Sequence, residues 1–192
     1  YIKGIKSFLG INDNKNDSKF YKELFQDYLV SGKDAYFGIC NSIEELFDYL
    51  NDMKNYDPAS QNRVVAGYCR KWVSKKSEQS DWVENSNHWN WNSRLEDWIN
   101  APDSENEIGS IHAVQGIDLN YVGVIIGKDL RYENEKIITD VAERASTDQS
   151  IRGIHKMYQQ DFEKAERIAD EIIKNTYRTL MTRGQKGCYI YC

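Results

Sequence analysis

Two short segments carry side chains whose types and spacing could do chemistry. The first is Ser110-Ile111-His112-Ala113-Val114-Gln115-Gly116-Ile117-Asp118, which runs into the apolar stretch Tyr121-Val122-Gly123-Val124-Ile125-Ile126. The pattern predicts a strand that breaks into a polar turn, bringing an imidazole, backbone amides and a carboxylate to one strand end. In open α/β sheets, ligands sit beyond the carboxyl ends of strands. The second is Tyr177-Arg178-Thr179-Leu180-Met181-Thr182-Arg183-Gly184, which reads as a helix end just before a strand. A guanidinium held there offers a phosphate a forked pair of donors. A third group, Arg70, Lys71, Lys75 and Lys76 around Trp72, has the composition of a surface that follows a nucleic-acid backbone while a ring stacks a base.

Each of these residues also has a structural reading. Arg183 could complement the negative end of its helix, and His112 could be a hydrogen-bonded core histidine. Gly116 suits a turn that needs positive φ, and Asp118 suits a helix N-cap or a turn. Trp72 could belong to the core, with the lysines on a solvated face; for Trp72 and Asp118 the structural reading is the simpler one. Other chemistries find no support. The chain contains no G-x-x-x-x-G-K-[ST] loop and no G-x-G-x-x-G, so it has no phosphate cradle of those kinds. His88, His112 and His155 are scattered with no H-E-x-x-H, and no G-x-S-x-G elbow occurs.

The elements that must position these segments alternate in type. Short helices are predicted over 1–9 and 19–30, and a buried strand over 36–40. Ser42-Ile43-Glu44-Glu45 has the form of a capping box, followed by Ile43, Leu46, Phe47, Leu50 and Met53 at helical spacing. Further strands are predicted over 63–68, 108–113, 121–127 and 188–192, with a small hairpin over 130–139. A helix over 161–181 carries the apolar stripe Phe162, Ala165, Ile168, Ala169, Ile172, Ile173, Tyr177 and Leu180. Strands alternating with helices imply an α/β domain with a mostly parallel sheet. In the long insertion over 70–107, Trp82, Trp89, Trp91 and Trp98 are expected to pack onto the domain rather than stack bases, because the acidity of that segment would repel phosphate.

Composition sets outer bounds. The chain has 192 residues, 40% hydrophobic and 29% charged, with a net charge of -5, which fits one globular domain and neither a disordered tail nor a fibre. No run of 18 apolar residues exists, so no membrane-spanning segment or membrane partner is expected. The charge is uneven: residues 58–76 hold five bases and no acid, and residues 77–110 hold eight acids and one base. The acidic total therefore says nothing against a local basic surface. The four cysteines form no C-x-x-C pair, and buried reduced thiols and a cytoplasmic location are expected. The chain opens on Tyr1, with no signal-peptide pattern, and reads as a piece of a longer protein.

His112-Ala113-Val114-Gln115-Gly116-Ile117-Asp118 resembles motif V of superfamily 1 helicases, and Leu180-Met181-Thr182-Arg183-Gly184 resembles their motif VI. With Arg63-Val64-Val65-Ala66-Gly67-Tyr68-Cys69-Arg70-Lys71-Trp72 and Val122-Gly123-Val124-Ile125-Ile126-Gly127-Lys128-Asp129-Leu130-Arg131-Tyr132, they resemble the Schlafen-group-3-like DNA/RNA helicase domain family, bacterial proteins with a predicted ATP-binding loop. The resemblance runs over residues 63–192. It implies a three-layer RecA-like (P-loop NTPase-like) fold, with residues 1–192 as the C-terminal RecA-like domain and residues 1–34 as a helical lead-in. The partner would be an upstream P-loop domain that binds most of ATP and magnesium, and the activity would be ATP hydrolysis coupled to DNA or RNA. The resemblance makes Arg183 the catalytic arginine finger, with Gln115, Gly116 and Asp118 beside the nucleotide. It sets His112 on the nucleic acid, where Arg70 and Lys71 could join it. This chain alone would not hydrolyse ATP. The alternative is a RecA-like binding or scaffold module without ATPase activity.

Overall fold

The computed structural model describes residues 1–11, 37–134 and 136–192, with Lys3 as backbone only. The helix expected over 19–30 lies outside the described residues, as does most of the lead-in. The elements are α1 (Ile2–Phe8), β1 (Phe37–Ile39), α2 (Ile43–Tyr56), β2 (Asn62–Ala66), β3 (Trp82–Glu84), β4 (Asn87–Trp89), β5 (Ile108–Ser110), β6 (Leu119–Ile125), β7 (Leu130–Glu133), β8 (Lys136–Thr139), α3 (Ile154–Gln160), α4 (Phe162–Met181) and β9 (Gly184–Tyr191). Five strands form one sheet in the order β1-β9-β6-β2-β5, and every neighbouring pair is parallel. No helix among the described residues is long and apolar enough to cross a membrane.

The sheet is covered on both faces, which is why its strands read as unbroken apolar runs. Side chains alternate with period two. Val65, Val122, Val124, Cys188 and Ile190 meet Ile173, Tyr177, Leu180 and Met181 of α4 and Ile5 of α1. Val64, Ala66, Ile125 and Tyr189 meet Ile43, Leu46, Phe47 and Leu50 of α2. The Ser42 hydroxyl caps α2 by accepting from Glu45 N at 2.9 Å, as the sequence predicts. The return bond is displaced: the Glu45 carboxylate accepts from Asn41 N rather than from the cap residue. Glu84, at the end of β3, accepts from Ile43 N at 2.8 Å and supplies a second cap.

Several boundaries differ from expectation. The third strand ends at Ser110 rather than residue 113, because residues 111–116 already form the turn. The last strand begins at Gly184, not Cys188, and carries a register shift opposite Leu119 and Tyr121. α3 has seven residues and follows Gly153 at φ +85°, too short a stretch to show a stripe in sequence. Phe162 heads the predicted stripe but is 63% exposed. The first turns of α4 meet α3 through Ala165 and Ala169 instead, and Phe162 lies edge-on to Tyr158. The hairpin of β7 and β8 forms as predicted.

The Trp-rich stretch packs onto the domain, also as predicted. Trp82, Trp91 and Trp98 are buried, and Trp89 stacks on Phe47 of α2 with centroids 5.6 Å apart. Buried Asp81 ties the stretch together, accepting from Val73 N at 2.6 Å, Ser74 N at 3.1 Å and Trp91 N at 3.0 Å.

Candidate functional site

The candidate residues divide between the two edges of the sheet, where the sequence pattern suggests one strand end. The turn after β5 begins at the carboxyl ends of the strands and returns to their amino ends to enter the parallel β6, so its first and last residues are separated by about the length of β6.

At the amino edge the turn meets the end of α4. Arg183 Nε donates to Thr179 O of its own helix at 3.2 Å, and Nη1 donates to Ile117 O at 3.4 Å. Its carbonyl accepts from Leu119 N at 2.9 Å. Arg183 thus bonds both neighbours of Asp118. The helix-end role and a phosphate-facing role are compatible, because Nη2 makes no hydrogen bond among the described residues. Asp118 is exposed and directly precedes β6, so it is not a helix N-cap; it makes no hydrogen bond or ion pair among the described residues. Gln115 is exposed.

Two glycines shape this edge. Gly116 has φ +79°, and a Cβ there would meet nothing within 4 Å. Gly116→Ala is therefore expected to cost only the left-handed backbone penalty, about 1–2 kcal/mol, measurable by urea denaturation; a larger loss would mean that the space is not open. Gly184 is needed for space, since a Cβ would lie 2.1 Å from Gly187 O. That contact belongs to the irregularity in β9, a device that re-aims neighbouring side chains.

At the carboxyl edge the same turn starts with His112. The imidazole is exposed, which removes the core-histidine reading. Its ring lies 5.5 Å from that of Tyr68, just past the end of β2, and Tyr68 lies 6.4 Å from Trp72. Burial raises the Tyr68 phenol above its ordinary value. Arg70 is exposed, donates to Asp81 O at 3.0 Å and lies over the Trp82 ring. Lys71 is exposed and has no ion pair among the described residues.

Sequence reasoning does not reveal a buried ion network at the carboxyl ends of β2 and β6. Loops leave the carboxyl ends of β2 and β6 in opposite directions, the switch point where open α/β sheets hold ligands. Here the crevice is filled. Arg144 Nη1 donates to Asp129 Oδ2 at 3.0 Å, and its Nε and Nη2 donate to Asp148 Oδ2 at 2.9 and 2.5 Å. Tyr177 OH donates to Asp129 Oδ1 at 2.6 Å and accepts from Gly127 N at 3.0 Å. All three charged side chains are at most 1% exposed. Burial holds the Asp129 carboxyl above the usual range, opposed by Tyr177 and Arg144. Burial disfavours charge on Arg144, but Asp148 and Asp129 outweigh it and keep the guanidinium above its ordinary value. The one sequence signal is Asp129, four residues past the end of β6. No group of three or more His, Cys, Asp or Glu among the described residues is placed to hold a metal ion.

A three-layer parallel sheet, with the His-x-x-Gln-Gly-x-Asp turn entering β6 and the Thr-Arg-Gly turn entering its neighbour β9, is the architecture of a RecA-like domain of helicase type. The chain belongs to the Schlafen group 3, DNA/RNA helicase domain family, whose model matches residues 1–192. It is also similar to the Uncharacterized protein YPL245W of Saccharomyces cerevisiae, with 33% identity over 94 residues, 49% of this chain. The chain spans 20% of that relative's length. No solved structure matches.

Proposed function

We propose that the chain is the second RecA-like domain of a superfamily 1 helicase-like ATPase. It would complete the nucleotide site at its amino edge and meet DNA or RNA at its carboxyl edge. The observation that carries this reading is the Arg183 contact set. One guanidinium ties the end of α4 to the backbone of Ile117, next in the chain to Asp118, and its Nη2 makes no hydrogen bond among the described residues. Magnesium-bound ATP, held mainly by an upstream domain with a phosphate loop, would supply the transferable phosphoryl group. Arg183 would face the γ-phosphate and neutralise the charge that develops on it, as arginine fingers do. Asp118 would face the ribose, and the positive φ of Gly116 would hold the turn open for Gln115. His112 with Arg70 and Lys71 would meet the nucleic-acid backbone.

The test compares the full-length parent with residues 1–192. The parent is expected to hydrolyse ATP faster when single-stranded nucleic acid is added, and residues 1–192 alone are expected to show no turnover. Turnover by the isolated chain at a rate typical of the class would overturn the half-site assignment.

A further inference from the structure

The basic stretch before the Trp-rich hairpin borders a surface cleft of about 440 Å³, walled by Trp72, Lys75, Asn92, Ser93, Arg94 and Leu95, with Glu96 as its one carboxylate. Trp72 is only half-buried. One side packs on Trp91, with centroids 5.7 Å apart. Lys75 Nζ rests 3.7 Å from the ring centroid, so this face is covered by a cation rather than by apolar packing. Lys71, Lys75 and Lys76 are exposed and unpaired among the described residues. Arg94 contributes a further cation, shared with Asp97 at 3.5 Å. The cleft also continues a row of rings. Trp72, Tyr68 and exposed His112 follow one another at 6.4 and 5.5 Å along the carboxyl edge. Rings following one another beside exposed cations are what a single strand needs, because every base has a stackable face and every linkage a negative charge.

We propose that this cleft is a base-stacking subsite for single-stranded nucleic acid. A base replaces the Lys75 ammonium on the Trp72 ring, and the displaced lysine, with Lys71 and Lys76, pairs with the flanking phosphates. Tyr68 and His112 extend the platform toward the turn before β6. The proposal rests on the nucleic-acid reading above and adds a specific subsite to it. It revises the simpler reading of Trp72 as a core residue and assigns Trp72 a contact role alongside its packing role.

The experiment titrates residues 1–192 with oligo(dT), with oligo(U) and with an abasic oligomer of equal length and charge. The expected results are that at least one base-bearing oligomer quenches tryptophan fluorescence and that the abasic oligomer binds about tenfold more weakly. Trp72→Phe keeps the ring and the fold; it is expected to lose most of the quench while still binding by anisotropy of a labelled oligomer. Lys75→Ala is expected to lower the slope of log affinity against log salt by about 0.7. Unchanged quenching in Trp72→Phe, or equal affinity for abasic and base-bearing oligomers, would overturn the stacking subsite alone. Absence of binding to any oligomer would overturn both the subsite and the nucleic-acid reading.

Discussion

Arg183→Ala in the full-length parent is expected to lower kcat for ATP hydrolysis by about 10³ or more, with ATP affinity nearly unchanged. The split follows from where the charge acts. A finger cation interacts most strongly with charge that grows in the transition state, so its removal appears in kcat rather than in binding. Arg183 also donates to Thr179 O and Ile117 O, so part of any loss could come from a loosened helix end. Two hydrogen bonds at a half-buried site are worth about 1 kcal/mol each, which a thermal melt detects independently. Arg183→Lys separates the roles further: the ammonium keeps a charge and loses the fork. Steady-state kinetics with Mg-ATP give kcat and single-turnover kinetics isolate the chemical step; an unchanged rate in both for Arg183→Ala would remove the finger assignment.

Arg144→Met should give the largest loss of stability, about 3–5 kcal/mol, because it leaves two buried carboxylates without their cation. The side chains of Asp129 and Asp148 are at most 1% exposed and share this one guanidinium. The methionine fills similar volume, so the loss reports charge rather than a cavity. The pH dependence has a definite sign. Burial already raises Asp129 in the folded chain, and loss of Arg144 raises it further. A folded carboxyl pKa above the unfolded one, near 3.9, means that the native state holds more protons in the interval between the two values. Stability therefore falls as pH rises through that interval. Urea denaturation of Arg144→Met should show a smaller deficit at pH 4 than at pH 7. An equal deficit at both would mean that the carboxylates are not the source of the cost.

Local pattern was enough to find most elements. The α2 stripe from Ile43 to Met53, the β7–β8 hairpin and α4 are where the spacing of apolar residues puts them, because periodicity reports which face a segment buries. The apolar pattern carries β5 past Ser110 because Ile111, Ala113 and Val114 are apolar and partly or wholly buried, yet they lie in a turn. Burial alone does not separate a strand from a packed turn. α3 was missed because seven residues are too few to show a period. Of the candidate site, the sequence marked the residue types at Arg183, Gly116, Asp118, His112 and Arg70. It did not mark Arg144 or Asp148, which resemble ordinary surface charges until the chain folds over them.

What the amino-acid sequence determined by itself was the α/β alternation, the two motif turns and the packing role of the tryptophans, since each depends on residues close together in the chain. The tertiary structure decided how those turns face. Pairing of β6 between β2 and β9 stretches one turn from the carboxyl edge to the amino edge. It sets His112 beside Tyr68 at the carboxyl ends of the strands, and Ile117 and Leu119, the neighbours of Asp118, against Arg183 at the amino ends. The direction of a crossover depends on strand order, which is a long-range property. The same order opens a crevice between the ends of β2 and β6, and the buried charges of Asp129, Arg144 and Asp148 fill it.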